Sequence, residues 1–422
     1  MAITIIKTLT DRLLNIPTRL QNVVNGYLLM LMLEADKHTQ TFAESVTGID
    51  QTSFSRLLRM HGELAKMCLE ELAMAAAKTL AKNRPLLVNG VPWTIAIIID
   101  ATLHQRSSLH VGNSQRFNHG QGFVVGHQWT NIVLYINGIV VPLPPIPFWS
   151  KKECKRRNVP YKTEHERLIE YLNQMNLANH IGFYDPKEIV VMMDSGYDNK
   201  LLQEAVLARG WDFLSSIKKV RSVRTSNEKL NGVKKGRQVD ELFRAVKKQS
   251  PWKTVRVKTD GGKKRRRFRA RKLKGYLKGV SSEVAIVCSE KSGRTKGRRY
   301  FACSQAELDV GVIIRAYSIR WAVEMFHRTA KGQLGMLDAS VQDFNALTAH
   351  IHWVYCSYLI LHELKIADAK SLLEKQRRLT KLAHNEPWEK KLKKVLASKN
   401  QFGGRQRQER LINEALQDAM AA

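Results

Sequence analysis

Cysteine is scarce in this chain. Its five residues, Cys68, Cys154, Cys288, Cys303 and Cys356, are scattered through 422 positions with no CxxC pair. That spacing offers neither a zinc site nor a disulfide framework, so a reducing cytosol is the expected compartment. Long apolar runs are missing too. The run Tyr27–Leu33 is far too short to cross a bilayer, and the first residues do not read as a signal peptide. No repeats or low-complexity tracts stand out. Acidic residues are outnumbered, 38 Asp and Glu against 69 Lys and Arg, which leaves a formal net charge of +31. An excess of that size implies a polyanionic partner and argues against an ordinary enzyme of small molecules, although a structural RNA binder would share it. The expectation is a soluble intracellular protein with no membrane partner, long enough for two or three domains.

What is present begins with helix. Residues 1–85 carry Leu, Met and Ala at helical spacing with little β-branched clustering. Two short helices are expected there, His38–Val46 and Asp50–Met60, joined at Gly48 and with Asp50 as an N-cap. Read as a helix–turn–helix, the pair puts Gln51, Thr52, Ser55 and Arg56 on the leading face of a DNA-reading helix. A plain helical hairpin is the alternative.

Pro85, Gly90 and Pro92 then punctuate a linker. Thr94–Asp100 reads as a strand buried on both faces and ending in Asp. Gln128–Ile136 and Gly138–Leu143 form a predicted hairpin turning at Asn137-Gly138. Tyr161–Asn176 follows as an amphipathic helix and Glu188–Asp194 as a second buried strand ending in Asp. A helix at Asn199–Arg209 and a strand at Trp211–Ile217 come next. That order fits an α/β fold with a ribonuclease-H-like mixed sheet and helices on both faces. The layout is then a helical DNA-binding part in 1–85 and a catalytic core in 86–221 that resumes in 307–345. A β-rich insertion occupies 222–306, and a helical C-terminal region for DNA or a second subunit occupies 346–422. The insertion's expected strands are Trp252–Lys258, Arg265–Lys278, Glu283–Cys288 and Arg298–Cys303.

Positive charge crowds the insertion at Lys263, Lys264, Arg265, Arg266, Arg267, Arg269, Arg271 and Lys272. Strand geometry sends these side chains to both faces, so a covered sheet is not expected and one face should meet phosphate; a solvated hairpin is the bland alternative. A second cluster, Lys151, Lys152, Lys155, Arg156 and Arg157, is expected on a loop as a backbone contact.

Three carboxylates complete the set. Asp100 and Asp194 end the two buried strands, and Glu324 lies in YSIRWAVEMFHRTAK, residues 317–331, which contains no Gly or Pro. At about 100° per residue on one helix, Tyr317, Arg320, Glu324 and Lys331 share an arc, and Ile319, Val323, Phe326 and Ala330 share another. Hard oxygen donors with no Cys or His companion suit Mg²⁺ or Mn²⁺. Taken singly, each Asp could be a turn-former, Asp198 is the rival for the second position, and Arg320–Glu324 could be an exposed i, i+4 pair.

The spacing Tyr-x2-Arg-x3-Glu-x6-Lys, met here at Tyr317, Arg320, Glu324 and Lys331, resembles the signature of bacterial insertion-sequence transposases of the DDE type, in the insertion sequence 4 group. By motif the resemblance covers roughly residues 94–335. It implies that Asp100, Asp194 and Glu324 hold two Mg²⁺ or Mn²⁺ ions for in-line displacement at phosphorus. It implies that Tyr317, Arg320 and Lys331 grip the phosphates of the transposon end and support a hairpin intermediate. An aromatic of the insertion, among Trp252, Tyr300 and Phe301, would stack a flipped base. The implied activity is cut-and-paste transposition by a homodimer on double-stranded DNA, joining terminal inverted repeats to target DNA in the bacterial cytoplasm at the nucleoid. A metal-dependent nuclease or resolvase of the same fold, and an inactive DNA-binding relative, are the alternatives.

Overall fold

The computed structural model describes residues 6, 7, 10, 11, 14–106, 111–119, 122–245, 251–259, 264–291, 297–366, 369 and 371–383. A single mixed α/β sheet runs through them, flanked by helices. The N-terminal helices are α1 (Thr18–Met32), α2 (Gln40–Thr47), α3 (Gln51–Met60) and α4 (Gly62–Ala81). The Thr39 hydroxyl accepts from the amide of Phe42 and the Asp50 carboxylate from that of Thr52, so both short helices start on side-chain caps.

The sheet's first half contains β1 (Ile95–Gln105), β3 (Gly122–Ile136), β6 (Ile189–Met193) and β7 (Asp212–Ile217). Strand β1 lies between β3, which is antiparallel to it, and β6, which is parallel; β7 follows parallel to β6. A short strand β4 (Ile139–Pro142) pairs with β3 across a turn in which Asn137 and Gly138 take φ of 48° and 81°, and β5 (Ile146–Pro147) pairs with β3 beyond it. Two successive left-handed residues match the right-handed twist of the hairpin, the reason Asn-Gly is favoured there. Helix α5 (Glu164–Gln174) starts on a reciprocal cap between Thr163 and Glu166, and α6 (Lys200–Ala208) starts on Asn199.

The β1 strand is longer than its apolar run. It does not end at Asp100 but continues to Gln105, still paired with β3, because β3 extends in the same direction. Only the parallel pairing with β6 stops there, at Ile99 opposite Met193. Strand β2 (Gln115–His119), paired with the start of β3, had no counterpart in the sequence reading.

The insertion supplies β8 (Ser222–Thr225), β9 (Arg237–Gln238), β10 (Lys253–Thr259), β11 (Lys264–Leu277), β12 (Val284–Lys291) and β13 (Arg299–Cys303). These strands extend the core sheet, since β13 pairs antiparallel with β7. Two helices absent from the sequence reading, Ser226–Leu230 and Val239–Ala245, also belong to it.

The chain returns to the core through α7 (Val310–Tyr317), a 3₁₀ turn at Ser318–Arg320, and α8 (Trp321–Gly332). The expected single helix over 317–331 is thus broken one turn before Glu324. Its apolar face holds, with Val323, Phe326 and Ala330 buried. Helix α9 (Phe344–Glu363) is buried nearly along its whole length between the sheet and the N-terminal helices. Helix α10 (Leu372–Ala383) packs against it, and the expected helical text of 384–422 lies outside the described residues. No helix among the described residues is long and apolar enough to cross a membrane.

Candidate active site

The site forms where parallel pairing stops. Asp100 and Asp194 each follow the last paired residue of adjacent parallel strands, Ile99 and Met193. Their side chains therefore emerge side by side at the carboxyl edge, where open α/β sheets place their ligands. Asp194 caps the 3₁₀ turn Ser195–Tyr197, accepting from the Gly196 amide at 2.8 Å. Asp198 points elsewhere: its carboxylate is buried, accepts from the Lys218 amide at 3.0 Å, and lies 3.6 Å from Arg221 Nε.

Helix α8 brings Glu324 over this edge, and Arg320 binds the acids together. Its Nη2 donates to Glu324 Oε1 at 2.5 Å and its Nη1 is 3.7 Å from Asp100 Oδ2. Burial pushes the Asp100 carboxyl up to about 7; Arg320 opposes that rise, while the charges of Asp194 and Glu324 add to it. Asp100 thus feels the other two acids through a partly desolvated space. The i, i+4 pair of Arg320 with Glu324 is the plain alternative of the sequence reading, here largely covered rather than exposed, while the approach of Arg320 to Asp100 was not foreseen.

The other signature residues border the same space. The Tyr317 hydroxyl donates to the Met193 carbonyl at 3.2 Å, just before Asp194, and burial raises its phenol to about 12. Burial also pulls the Lys331 ammonium below its ordinary value, against the attraction of Asp100.

Sequence reasoning missed His327. It is buried one turn beyond Glu324, with Nδ1 3.8 Å from Asp100 Oδ2 and Nε2 2.9 Å from Asn131 Nδ2. Desolvation, reinforced by Lys331 and Arg320, pushes its pKa down to about 3, so the ring is neutral. The expectation of acids with no His companion is corrected on this point. The i, i+3 spacing from Glu324 was the available signal. Asn131 could not be found that way, since only the strand register sets it opposite Asp100.

Among the described residues, no three His, Cys, Asp or Glu side chains are gathered closely enough to hold a metal ion as they stand. The donor chemistry nevertheless fits a hard divalent cation, because burial first, and then the charges of Asp194 and Glu324, disfavour the ionised form of Asp100, and a cation among these oxygens would offset both. Arg320 supplies part of that compensation here.

The expected DNA contacts fall into two groups. Gln51, Thr52 and Arg56 are exposed on α3 and Ser55 is half-exposed, while Phe54, Leu57 and Leu58 face inward. On β11, Arg266, Arg267 and Arg269 are exposed. Lys263 lies outside the described residues, and Lys264 and Arg265 enter only through backbone pairing with Thr259 and Lys258.

Part of the basic strand is covered, contrary to expectation. Arg271 is 2% exposed, stacks between Phe243 and Trp252, and donates to the Phe243 carbonyl. Lys272 donates to the carbonyls of Ala306 and Leu308. The helix Val239–Ala245, unread in the sequence, supplies part of that cover. Lys151–Arg156 forms a short helix rather than a loop, and Arg156 and Arg157 close on Glu153.

None of the three stacking candidates offers an open ring. Trp252 has the guanidinium carbons of Arg269 and Arg271 at 5.0 and 4.7 Å, and Tyr300 and Phe301 are buried. Trp321, directly after Arg320, is 45% exposed.

Clustered carboxylates at a strand edge, with cations bordering them, define a site suited to metal-assisted chemistry on a phosphodiester. Residues 161–360 match the family model described as the transposase DDE domain, which supports a DDE transposase. The match includes Asp194, Glu324 and all of the insertion; Asp100 precedes it. A search of the curated proteins found no match.

Proposed function

We propose that this chain is a DDE transposase of the insertion sequence 4 group, excising and inserting its element by a cut-and-paste route. The observation that carries the reading is the convergence of Asp100, Asp194 and Glu324 at one edge of a sheet with ribonuclease-H-like strand order. The family match over 161–360 and the net charge of +31 support it.

In this reading the three acids hold two Mg²⁺ or Mn²⁺ ions. The ions supply activation of water or a 3′-hydroxyl and stabilisation of the leaving oxygen. Arg320 releases part of its hold on the acids and turns to phosphate, where its planar fork fits two oxygens at once. Lys331 adds a point charge, and Tyr317 fixes the backbone that presents Asp194. Exposed residues of α3 and β11 bind double-stranded DNA, terminal inverted repeats and target alike, and a homodimer holds the two ends. The bacterial cytoplasm is the site of action.

The test is strand-resolved cleavage of a labelled duplex carrying the DNA that flanks the coding sequence. Asp100→Ala, Asp194→Ala and Glu324→Ala should each lose cleavage by several orders of magnitude while still binding that duplex. Joining of the cut 3′ end to a second duplex separates a transposase from a nuclease. Normal cleavage by Asp194→Ala would remove the proposed triad.

A further inference from the structure

Behind Asp100 lies a buried chain of polar groups with no part in the signature. The Tyr355 hydroxyl donates to Asn131 Oδ1 at 2.5 Å. The other end of the same amide, Nδ2, is 2.9 Å from His327 Nε2. His327 Nδ1 in turn is 3.8 Å from Asp100 Oδ2. The groups come from three separate elements: Asn131 from β3, directly across from Asp100, Tyr355 from α9, and His327 from α8.

The direction of this chain follows from donor and acceptor accounting. Tyr355 is fully buried, and its hydroxyl hydrogen has Asn131 Oδ1 as acceptor. The Asn131 NH₂ group is a donor only, so His327 Nε2 must accept from it. A neutral imidazole then carries its hydrogen on Nδ1, facing the Asp100 carboxylate. Turning the amide over would leave the phenol hydrogen unpaired in the interior and aim the Nδ1 lone pair at a carboxylate, two penalties at once.

We propose that His327 is a positioning residue for Asp100, its Nδ1–H holding Oδ2 so that Oδ1 is presented to a divalent cation, with the tautomer fixed by Asn131 and Tyr355. At 3.8 Å the contact is longer than a hydrogen bond, as positioning contacts in unliganded sites commonly are before they tighten in the loaded site. Hydrogen bonds to ligating carboxylates of this kind tune metal affinity by about 10- to 100-fold. The inference rests on the reading of Asp100 as a metal ligand given above.

The test measures Mn²⁺ binding by calorimetry on the full chain without DNA, for the wild type, Asp100→Ala, His327→Asn and His327→Gln. An Asn side chain places its amide donor near the position of Nδ1, whereas Gln reaches toward that of Nε2 and removes the donor that position 327 offers Asp100. His327→Asn should stay within a few-fold of wild type and His327→Gln should weaken Mn²⁺ by about 10-fold or more. Equal affinities for the two variants, or equal losses, would reduce His327 to a packing residue. If Asp100→Ala binds Mn²⁺ like the wild type, the metal-site reading itself fails, a result distinct from the other two. A readout that needs no folded variant is the ¹⁵N-histidine spectrum of the wild type. It should contain one ring protonated at Nδ1 and bare at Nε2, in contact with the Asn131 amide. The opposite tautomer at that ring would overturn the proposal.

Discussion

Replacing Arg320 by Met keeps most of the side-chain volume and removes the charge between the acids, so the effect should read out as stability before any DNA is added. Arg320 lies 3.7 Å from Asp100 and 2.5 Å from Glu324, and all three side chains are largely covered. At an effective dielectric of about 20, a unit pair at 4 Å attracts by about 4 kcal/mol. Desolvation of the guanidinium cancels much of this, and solvent reaches Glu324, so we expect a net loss of about 2 kcal/mol at pH 8. In a chain of this length that corresponds to a fall of about 2 °C in melting temperature.

The loss should depend on pH in a defined direction. The Asp100 pKa is raised to about 7 in the folded state, above its unfolded value of about 3.9. The folded state therefore binds more protons between those values, and stability falls as pH rises through that window. Removing Arg320 lifts the folded pKa further and extends the fall above pH 7. At pH 6 Asp100 is mostly protonated and only the Glu324 attraction is lost, so the deficit should shrink to about half. Excess Mg²⁺ should restore more stability to Arg320→Met than to wild type, since a cation then takes the place of the guanidinium. Scanning calorimetry at pH 6 and pH 8, with EDTA or Mg²⁺, decides the matter. An equal deficit at both pH values would refute the titration of Asp100 opposite Arg320, and no deficit would refute the charge compensation itself.

The other expectations concern DNA and the sheet. Arg320→Lys should recover little of the hairpin-forming or later steps lost in Arg320→Ala, because a point charge cannot replace a bidentate fork on phosphate; uniform slowing of every product would count against this role. Neutralising Arg266, Arg267 and Arg269 should flatten the salt dependence of DNA binding by about 0.9 log-log units per lost phosphate contact, and an unchanged slope would place β11 in solvent. Arg271→Gln should leave that slope alone and lower the melting temperature instead, since its guanidinium is held inside the insertion. Gly275→Ala should destabilise by about 3 kcal/mol or more, because its Cβ would stand 2.2 Å from the Arg224 carbonyl oxygen on the paired strand β8. Hydrogen exchange that leaves β8 fully protected in that variant would contradict the close approach.

The sequence was most legible where one physical signal dominated. The continuous apolar runs before Asp100 and Asp194 are buried parallel neighbours, and Asn137-Gly138 is the turn its composition demanded. Signals failed where pairing or cover came from afar. Nothing in the text after Asp100 announces a strand, yet pairing with β3 carries β1 five residues further. A covered sheet was not expected at Lys263–Lys272 because the helix that hides Arg271, Val239–Ala245, has too little text of its own. His327 stood within the quoted stretch and went unread, because its value depends on Asn131, nearly two hundred residues upstream and visible only through the register.

Helix α9 sets a timetable for folding. Tyr27 on α1 completes its buried hydrogen bond only with His350, 323 residues later, and the inner faces of α1, α3 and α4 rest on the same late helix. At about 5–20 residues per second, synthesis leaves those faces uncovered for roughly 16–65 s. During that interval the apolar surface must be shielded by other means or collapse on itself, and a nascent chain stopped before residue 344 should be recovered bound to chaperones.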